Sequence, residues 1–292
     1  MKAIVLAGGT GSRLFPSTKG VSKQLLPVYD KPMIYYPLAV VMQAQIQEIL
    51  IITTAEDQQA FQRLLQDGNP WGINITYTVQ KEPKGIAEAL ILGADFIGND
   101  DIMLILGDNI FYGAGLSNQI QQAQNELHKN QASIFAYYVD QPQRYGVVTF
   151  DSQAKALAIE EKPKNPTSNY AVTGVYFYPN DALILTQKLT PSNRGELEIT
   201  DLNQIYLNQN RLQVKILPEG FAWLDTGTHE SLIEAGQFVY TLEKRQGLKL
   251  GCLEEIAFKN GWITQKQLLS WAATFSSSSY GSYLIQKYST KQ

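Results

Sequence analysis

The chain has 292 residues, 44% hydrophobic and 17% charged, with a formal net charge of −3, so it can bury a sizeable core in one large domain or two smaller ones. The mild negative charge excludes a nucleic-acid binder that works by charge alone, and the single Cys252 excludes an intrachain disulfide or a cysteine-cluster metal site. The start MKAIVLAGG has no secretory pattern and no apolar run approaches the ~20 residues of a membrane span, so a soluble, cytoplasmic protein with no membrane partner is expected.

Residues 2–7 (KAIVLA) form a short apolar run that reads as a buried strand of a parallel sheet. The run ends in Gly8-Gly9-Thr10-Gly11-Ser12-Arg13. Glycines leave backbone N–H groups open to an anionic phosphate, and Arg13 adds a planar, charged fork. Lys23 follows within short reach. The glycines alone fit an ordinary tight turn; with the two cations they favour nucleotide phosphates. A P-loop is excluded, because no Lys-Ser/Thr follows the last glycine. The dinucleotide fingerprint is excluded too, because Leu14 stands where its third glycine belongs.

A helix is expected at about 32–44, with Pro37 bending it or delaying its start. Strands follow at 48–53, 75–79 and 101–106, and helices at 57–66 and 86–96. This alternation predicts an α/β fold with a parallel sheet covered on both faces. Residues 133–178 are richer in strands (SIFAYYV, GVVTF, ALAIEE and AVTGVYFY) and should extend the sheet as the far wall of a pocket. Residues 199–208 and 231–245 read as helices. From 256 the tail has short amphipathic segments, with a serine run at 276–279 read as a loop. The expected division is a catalytic domain over 1–250, in halves 1–130 and 131–250, and a helical extension over 251–292. No internal repeat is evident.

Ligands of such sheets sit beyond the carboxyl ends of strands, and Gly107-Asp108-Asn109 falls at one. A carboxylate there can hold Mg2+, which takes one or two protein carboxylates plus substrate phosphates; a turn cap is the simpler alternative. Asp225, in Trp223-Leu224-Asp225-Thr226-Gly227, is the natural second carboxylate. Neither His128 nor His229 has a partner at metal-ligand spacing, and both read as ordinary polar residues.

Taken together, Gly8-Gly9-Thr10-Gly11-Ser12-Arg13-Leu14 and Ser22-Lys23-Gln24-Leu25-Leu26-Pro27 resemble the nucleotidyltransferases that activate sugar 1-phosphates. The stretch 28–38 (VYDKPMIYYPL) looks like the branch that joins dTTP to glucose 1-phosphate. The resemblance extends through Gln80, Pro83 and Gly85, then 144–148 (RYGVV), 160–163 (EEKP), 169–174 (NYAVTG) and 194–201 (RGELEITD). It implies a Rossmann-like nucleotidyltransferase fold. Leu6, Gly8, Gly9, Gly11, Gln24, Gln80, Gly85 and Asp108 match nucleotide-binding positions, with Gln80 and Gly85 at the thymine. Tyr145, Gly146, Glu161 and Val172 match positions around the sugar. Arg13, Lys23, Lys162 and Arg194 match catalytic cations, and Asp108 and Asp225 match the ligands of Mg2+. The implied reaction yields dTDP-glucose and pyrophosphate. Homotetramers inhibited by dTDP-rhamnose are also implied, with a second site that the tail around Cys252, Lys259 and Trp262 helps to form. Lys84 and Glu88 depart from the pattern, where relatives carry Asp and Gln. A uridylyltransferase and a non-catalytic sugar-nucleotide sensor on the same fold stay open as alternatives.

Overall fold

A computed structural model of the chain describes residues 1–9 and 11–289; Thr10 of the glycine loop lies outside the described residues. The first strand, β1 (Lys2–Ala7), buries Ala3, Ile4, Val5 and Ala7 completely. It is apolar on both faces because it lies mid-sheet and is covered on both sides. A small antiparallel ribbon follows, β2 (Pro27–Val28) with β3 (Lys31–Pro32). Helix α1 (Tyr35–Gln43) begins later than expected. Pro32 belongs to β3, and Pro37 sits in the first helical turn, where a missing N–H leaves no hydrogen bond unmade.

Next come β4 (Glu48–Thr53), α2 (Gln58–Leu65), β5 (Asn74–Val79), α3 (Glu88–Leu92) and α4 (Ala94–Ile97). The helix expected at 86–96 is thus split at Gly93. That glycine packs against β1: an added Cβ would come within 2.7 Å of Ile4 Cδ1. Beyond β6 (Ile102–Leu106) and β7 (Asn109–Tyr112) lies α5 (Leu116–Leu127). α5 is not among the expected elements, although it buries Leu116, Ile120, Ala123 and Leu127 at helical spacing.

The strand-rich part holds β8 (Ala132–Tyr138), β9 (Gly146–Phe150), β10 (Ala156–Glu161) and β11 (Tyr170–Tyr178), as the sequence suggests. Then follow α6 (Ala182–Thr186), α7 (Ile199–Asn208), β12 (Leu212–Ile216) and β13 (Ala222–Asp225). Helix α8 (His229–Gln246) opens with a reciprocal cap. The Thr228 hydroxyl accepts from the Ser231 N–H at 3.2 Å, and Ser231 Oγ accepts from the Thr228 N–H at 3.0 Å. The tail is three helices, α9 (Leu253–Lys259), α10 (Gln265–Thr274) and α11 (Ser279–Ser289). The serine run makes the α10–α11 turn, and its last member, Ser279, already starts α11.

One sheet runs through both halves of the chain. β5, β4, β1 and β6 are neighbours in that order and parallel. β11 then pairs antiparallel to β6, and β8, β9, β10 and β12 extend the sheet from it. The parallel core is the one expected, while the second half is largely antiparallel. Leu6 is in register with both Ile52 and Leu106, so β1, β4 and β6 end along one edge. The glycine loop and Gly107-Asp108 both leave from it.

One sheet face, with Ala3 and Val5, packs under α1 and the tail residues Leu253, Leu268 and Leu284. The opposite face, with Ile4 and Leu50, packs under Leu90, Ile97 and Tyr206. Among the described residues no helix is long and apolar enough to cross a membrane.

α8 and the segment before α9 are fastened to the β2–β3 ribbon by buried charges. Lys31 Nζ lies 3.0 Å from Glu243 and 2.5 Å from Asp30, and Lys249 Nζ reaches Glu243 at 2.8 Å and also Asp30. Glu243 accepts the Leu250 N–H as well, at 2.8 Å. Removing Glu243 would leave the Lys31 and Lys249 ammonium groups to share the Asp30 carboxylate, an excess of buried positive charge. Glu243→Ala should therefore lower unfolding stability by about 3 kcal/mol or more, read from urea midpoints. A loss below about 0.5 kcal/mol, the size usual for an exposed pair, would show that the cluster holds nothing in place.

Candidate active site

Two pieces of chain meet where β1 and β6 end. Leu14 is fully buried and pins the turn Ser12–Leu14, which carries Arg13. Lys23 opens a second short turn and is only 8% exposed. Across from them, Gly107 brings the 107–109 turn onto the end of β1. Its N–H donates to the Leu6 carbonyl at 2.9 Å, and a Cβ there would stand 2.9 Å from that oxygen. Lys23 Nζ makes a direct ion pair with Asp108. Asn109 Nδ2 donates to the other Asp108 oxygen at 2.8 Å.

Asn109 also fixes its surroundings. Its Oδ1 accepts from Trp223 Nε1 at 2.6 Å and from the Gly174 N–H at 3.1 Å. A Cβ on Gly174 would lie 2.5 Å from that oxygen. The β11–β8 register shifts between Val172 and Tyr176, at this contact. Such irregularities commonly accompany sites.

Asp225 arrives through the β7–β13 ribbon, where it is in register with Asn109. Its Oδ2 lies 3.4 Å from the Tyr145 hydroxyl and 3.7 Å from Arg144 Nη2. Arg13 runs past Gly227: a Cβ there would be 3.0 Å from Arg13 Nη2 and 3.1 Å from Asp225 Oδ1. The two carboxylates differ in charge balance. Burial opposes the Asp108 charge, but the Lys23 ammonium outweighs it with help from Asn109, and the carboxyl is held below its ordinary range. Burial and the Asp108 charge push the Asp225 carboxyl above its ordinary range, against Lys23, Arg13 and Arg144.

Two cavities share Arg13, Ile86, Leu106 and Asp108. One, of about 420 Å³, is lined by Leu6, Gly9, Gly11, Lys23, Gln24 and Pro83 among others. The other, of about 480 Å³, is lined by Tyr145, Gly146, Glu161, Lys162, Val172 and Asp225. Most of the expected nucleotide residues thus fall on one side of Arg13 and Asp108, and the expected sugar residues on the other. Glu161 is oriented by Thr200, whose hydroxyl donates to it at 2.6 Å. Lys162 has φ +43°, a left-handed conformation uncommon for a residue with a side chain and often found at functional sites.

Gly8, Gln80, Gly85 and Arg194 line neither cavity. Gly8 supports Gln80, since a Cβ on it would lie 2.4 Å from Gln80 Oε1. Gly85, at φ +102°, lets its turn pack on Leu197, where a Cβ would come 2.3 Å from the carbonyl oxygen. The Arg194 guanidinium is engaged by Glu198 at 2.8 Å and by Glu161 at 3.2 Å.

Trp223, Arg144, Gly174 and Thr200 join the site without an assigned role from sequence. Each stands inside or beside a quoted motif, but the Trp223–Asn109 contact spans 114 positions and has no local signal. Among the described residues no three His, Cys, Asp or Glu gather as a metal cluster, and both histidines are exposed. Asp108 and Asp225 remain as the metal candidates. Two carboxylates that repel each other across a cavity suit Mg2+, which takes its other oxygens from water and phosphates. Zinc would want nitrogen or sulfur.

The sequence pattern of the nucleotidyl transferase family matches residues 2–241. The chain belongs to this family. It is similar to the glucose-1-phosphate thymidylyltransferase of Neisseria meningitidis, at 55% identity over 98% of this chain and 99% of that one. The enzyme of the same name from Mycolicibacterium smegmatis is 54% identical over 98% of each chain. A solved Bacillus anthracis structure, provisionally assigned the same activity, matches with a TM-score of 0.76 and 44% identity. That match covers 82% of this chain and 94% of the other.

Proposed function

We propose that this chain transfers a thymidylyl group from dTTP to glucose 1-phosphate, giving dTDP-glucose and pyrophosphate for the synthesis of dTDP-sugars. The observation that carries the reading is the pair of cavities joined at Arg13 and Asp108. Sequence identity above half with named thymidylyltransferases, over nearly the whole chain, supports the choice of substrates.

An oxygen of the sugar phosphate attacks the α-phosphorus, and the bond from that phosphorus to the pyrophosphate oxygen breaks in line. The attacking group is already an oxyanion at neutral pH, so no protein nucleophile is required. The barrier is the approach of anions, and positioned cations lower it. Lys23 steadies the triphosphate from the nucleotide side, and Arg13, at the join, meets the departing pyrophosphate. Gln80 and Gly85 hold the base. Lys162 and Arg194 receive the phosphate of the sugar; Arg194 exchanges its Glu161 contact for it. Tyr145, Gly146, Glu161 and Val172 enclose the sugar, whose hydroxyls suit a carboxylate acceptor. Asp108 and Asp225 would hold Mg2+, which would supply charge neutralisation for the nucleotide phosphates. The test is a panel of dTTP, UTP, dCTP and dATP with glucose 1-phosphate and Mg2+, read by pyrophosphate release. Fastest turnover with dTTP is expected. Preference for UTP would make the chain a uridylyltransferase, and no release with any of them would make it a sensor.

The regulatory expectation is proposed in the same terms: a homotetramer inhibited by dTDP-rhamnose at a second site. A cavity of about 620 Å³ that shares no lining residue with the catalytic pair supports it. Tyr112, Leu116, Leu250, Ile256 and Lys259 help to line it, so the tail contributes. Cys252 and Trp262 do not; Cys252 is buried, and the Trp262 backbone packs on Gly72. Lys259→Ala should weaken inhibition by dTDP-rhamnose several-fold while leaving kcat in place. Inhibition that is strictly competitive with dTTP, with one nucleotide bound per subunit, would remove the second site.

A further inference from the structure

We infer that Arg144 is a further phosphate-binding residue: its guanidinium receives the phosphate of the sugar 1-phosphate beside Lys162, and it leaves its resting contact with Asp225 to do so. The inference deepens the proposed function and rests on the cavity of about 480 Å³ taking the sugar phosphate. Arg144 ends the short turn Pro142–Arg144 and lines that cavity together with Arg13 and Lys162. Pro142 is buried and pins the turn. The Tyr145 N–H donates to the Pro142 carbonyl at 3.0 Å, and the Tyr145 carbonyl accepts the Lys162 N–H, also at 3.0 Å. The Arg144 turn and Lys162 are thus tied into one backbone unit on one wall of the cavity.

A guanidinium carries five N–H donors in a planar fork that matches phosphate oxygens. Among the described residues no hydrogen bond uses those of Arg144. Its ion-pair contact, Nη2 to Asp225 Oδ2, is 3.7 Å long, beyond hydrogen-bond reach. Its place is set by a ring instead. The guanidinium carbon lies 5.6 Å from the centre of the Tyr145 ring, which packs edge-on against Trp223 at 5.1 Å. Arg194 is the opposite case. Its Nε and Nη2 donate to Glu198 at 3.2 and 2.8 Å, and its Nη2 reaches Glu161 at 3.2 Å. The Ser192 hydroxyl donates to Glu198 at 2.6 Å and holds that acceptor in place. Arg194 can therefore offer a phosphate one edge, while Arg144 can offer its whole fork.

The Asp225 contact is one that Arg144 can give up. It is long, and the side chain is 37% exposed, so water screens the pair and little holds it. Any cation that takes Asp225 competes with Arg144 for the same carboxylate and repels the guanidinium. The nearest new anion is then a phosphate in the cavity that Arg144 already lines. A bidentate Arg–phosphate contact is among the stronger hydrogen-bonded pairs, so the exchange favours the phosphate over a 3.7 Å contact. Lys162 adds a point charge from the same wall. In this arrangement Arg144 serves the sugar phosphate and not the nucleotide, because it lines only the sugar side of the pair of cavities.

The test compares the wild type with Arg144→Met and Arg144→Lys, using melting temperatures to confirm folding. In Arg144→Met the KM for glucose 1-phosphate should rise about tenfold or more, the worth of a charge-assisted hydrogen bond, while the KM for dTTP stays put. Arg144→Lys should recover part of the loss, since the charge is kept and the fork is not. A second readout separates phosphate binding from support of Asp225. Mn2+ binding to the protein with dTTP and no sugar phosphate, followed by electron paramagnetic resonance, should be as tight in Arg144→Met as in the wild type, or tighter, because a competing cation is gone. An unchanged KM for glucose 1-phosphate in a folded Arg144→Met protein would overturn the inference. So would an equal rise in both KM values, or several-fold weaker Mn2+ binding, which would make Arg144 a brace for Asp225. If Arg144→Met turns over too slowly to assay, the KM values of Arg144→Lys decide in the same way, with a rise expected for glucose 1-phosphate alone. Wild-type protein that releases no pyrophosphate from dTTP and glucose 1-phosphate would overturn the reading of function, and the inference with it.

Discussion

The ion pair between Lys23 and Asp108 is the contact on which the site depends. It joins the turn after the glycine loop to the turn after β6, at the wall shared by the two cavities. Everything around it is arranged to hold those two turns together. Gly107 lets the 107–109 backbone lie on Leu6, and Asn109 braces Asp108 while tethering β11 and Trp223. The β7–β13 ribbon then delivers Asp225. A pair this deep costs desolvation and is weak evidence for stability. Its value is positional: it keeps a cation and an anion in place at the edge shared by the two cavities.

The surrounding charges follow the same logic. A chain with net charge −3 must bind polyanions with local cations. Those cations are kept ordered by carboxylates of the chain itself: Lys23 by Asp108, and Arg194 by Glu198 and Glu161. In the reaction proposed above, substrate phosphates would take the place of such partners. Asp225 is the reverse case, a carboxylate raised by burial and by Asp108. A cation between the two would relieve that repulsion.

Much of this was legible in sequence, for local reasons. β1 and β4 are apolar on both faces, and α7 has the bounds 199–208 that its pattern gives. The glycine loop with Arg13 and Lys23 read as one site from sequence, and Gly9, Gly11, Arg13 and Lys23 do line one cavity. What escaped depends on distant partners. The split at Gly93 comes from Ile4, on another strand. The β7–β13 ribbon pairs four residues at Asn109–Tyr112 with four far along the chain, too short a run to read alone. The role of Asn109 needs Gly174 and Trp223 in place. Glu88 stands out in sequence only as a departure from the family pattern, and its hydrogen bond from Gln80 at 2.7 Å is seen only in the fold.

Asp108 is proposed as a metal ligand at the join of the cavities, beyond any role as a turn cap. The direct measurement is a Mg2+ titration of turnover in Asp108→Asn against the wild type, with both proteins shown to be folded. The variant should need markedly more Mg2+ for half-maximal rate and have a lower kcat, because one anionic ligand is gone and Lys23 has lost its partner. An unchanged Mg2+ midpoint with unchanged kcat would contradict it.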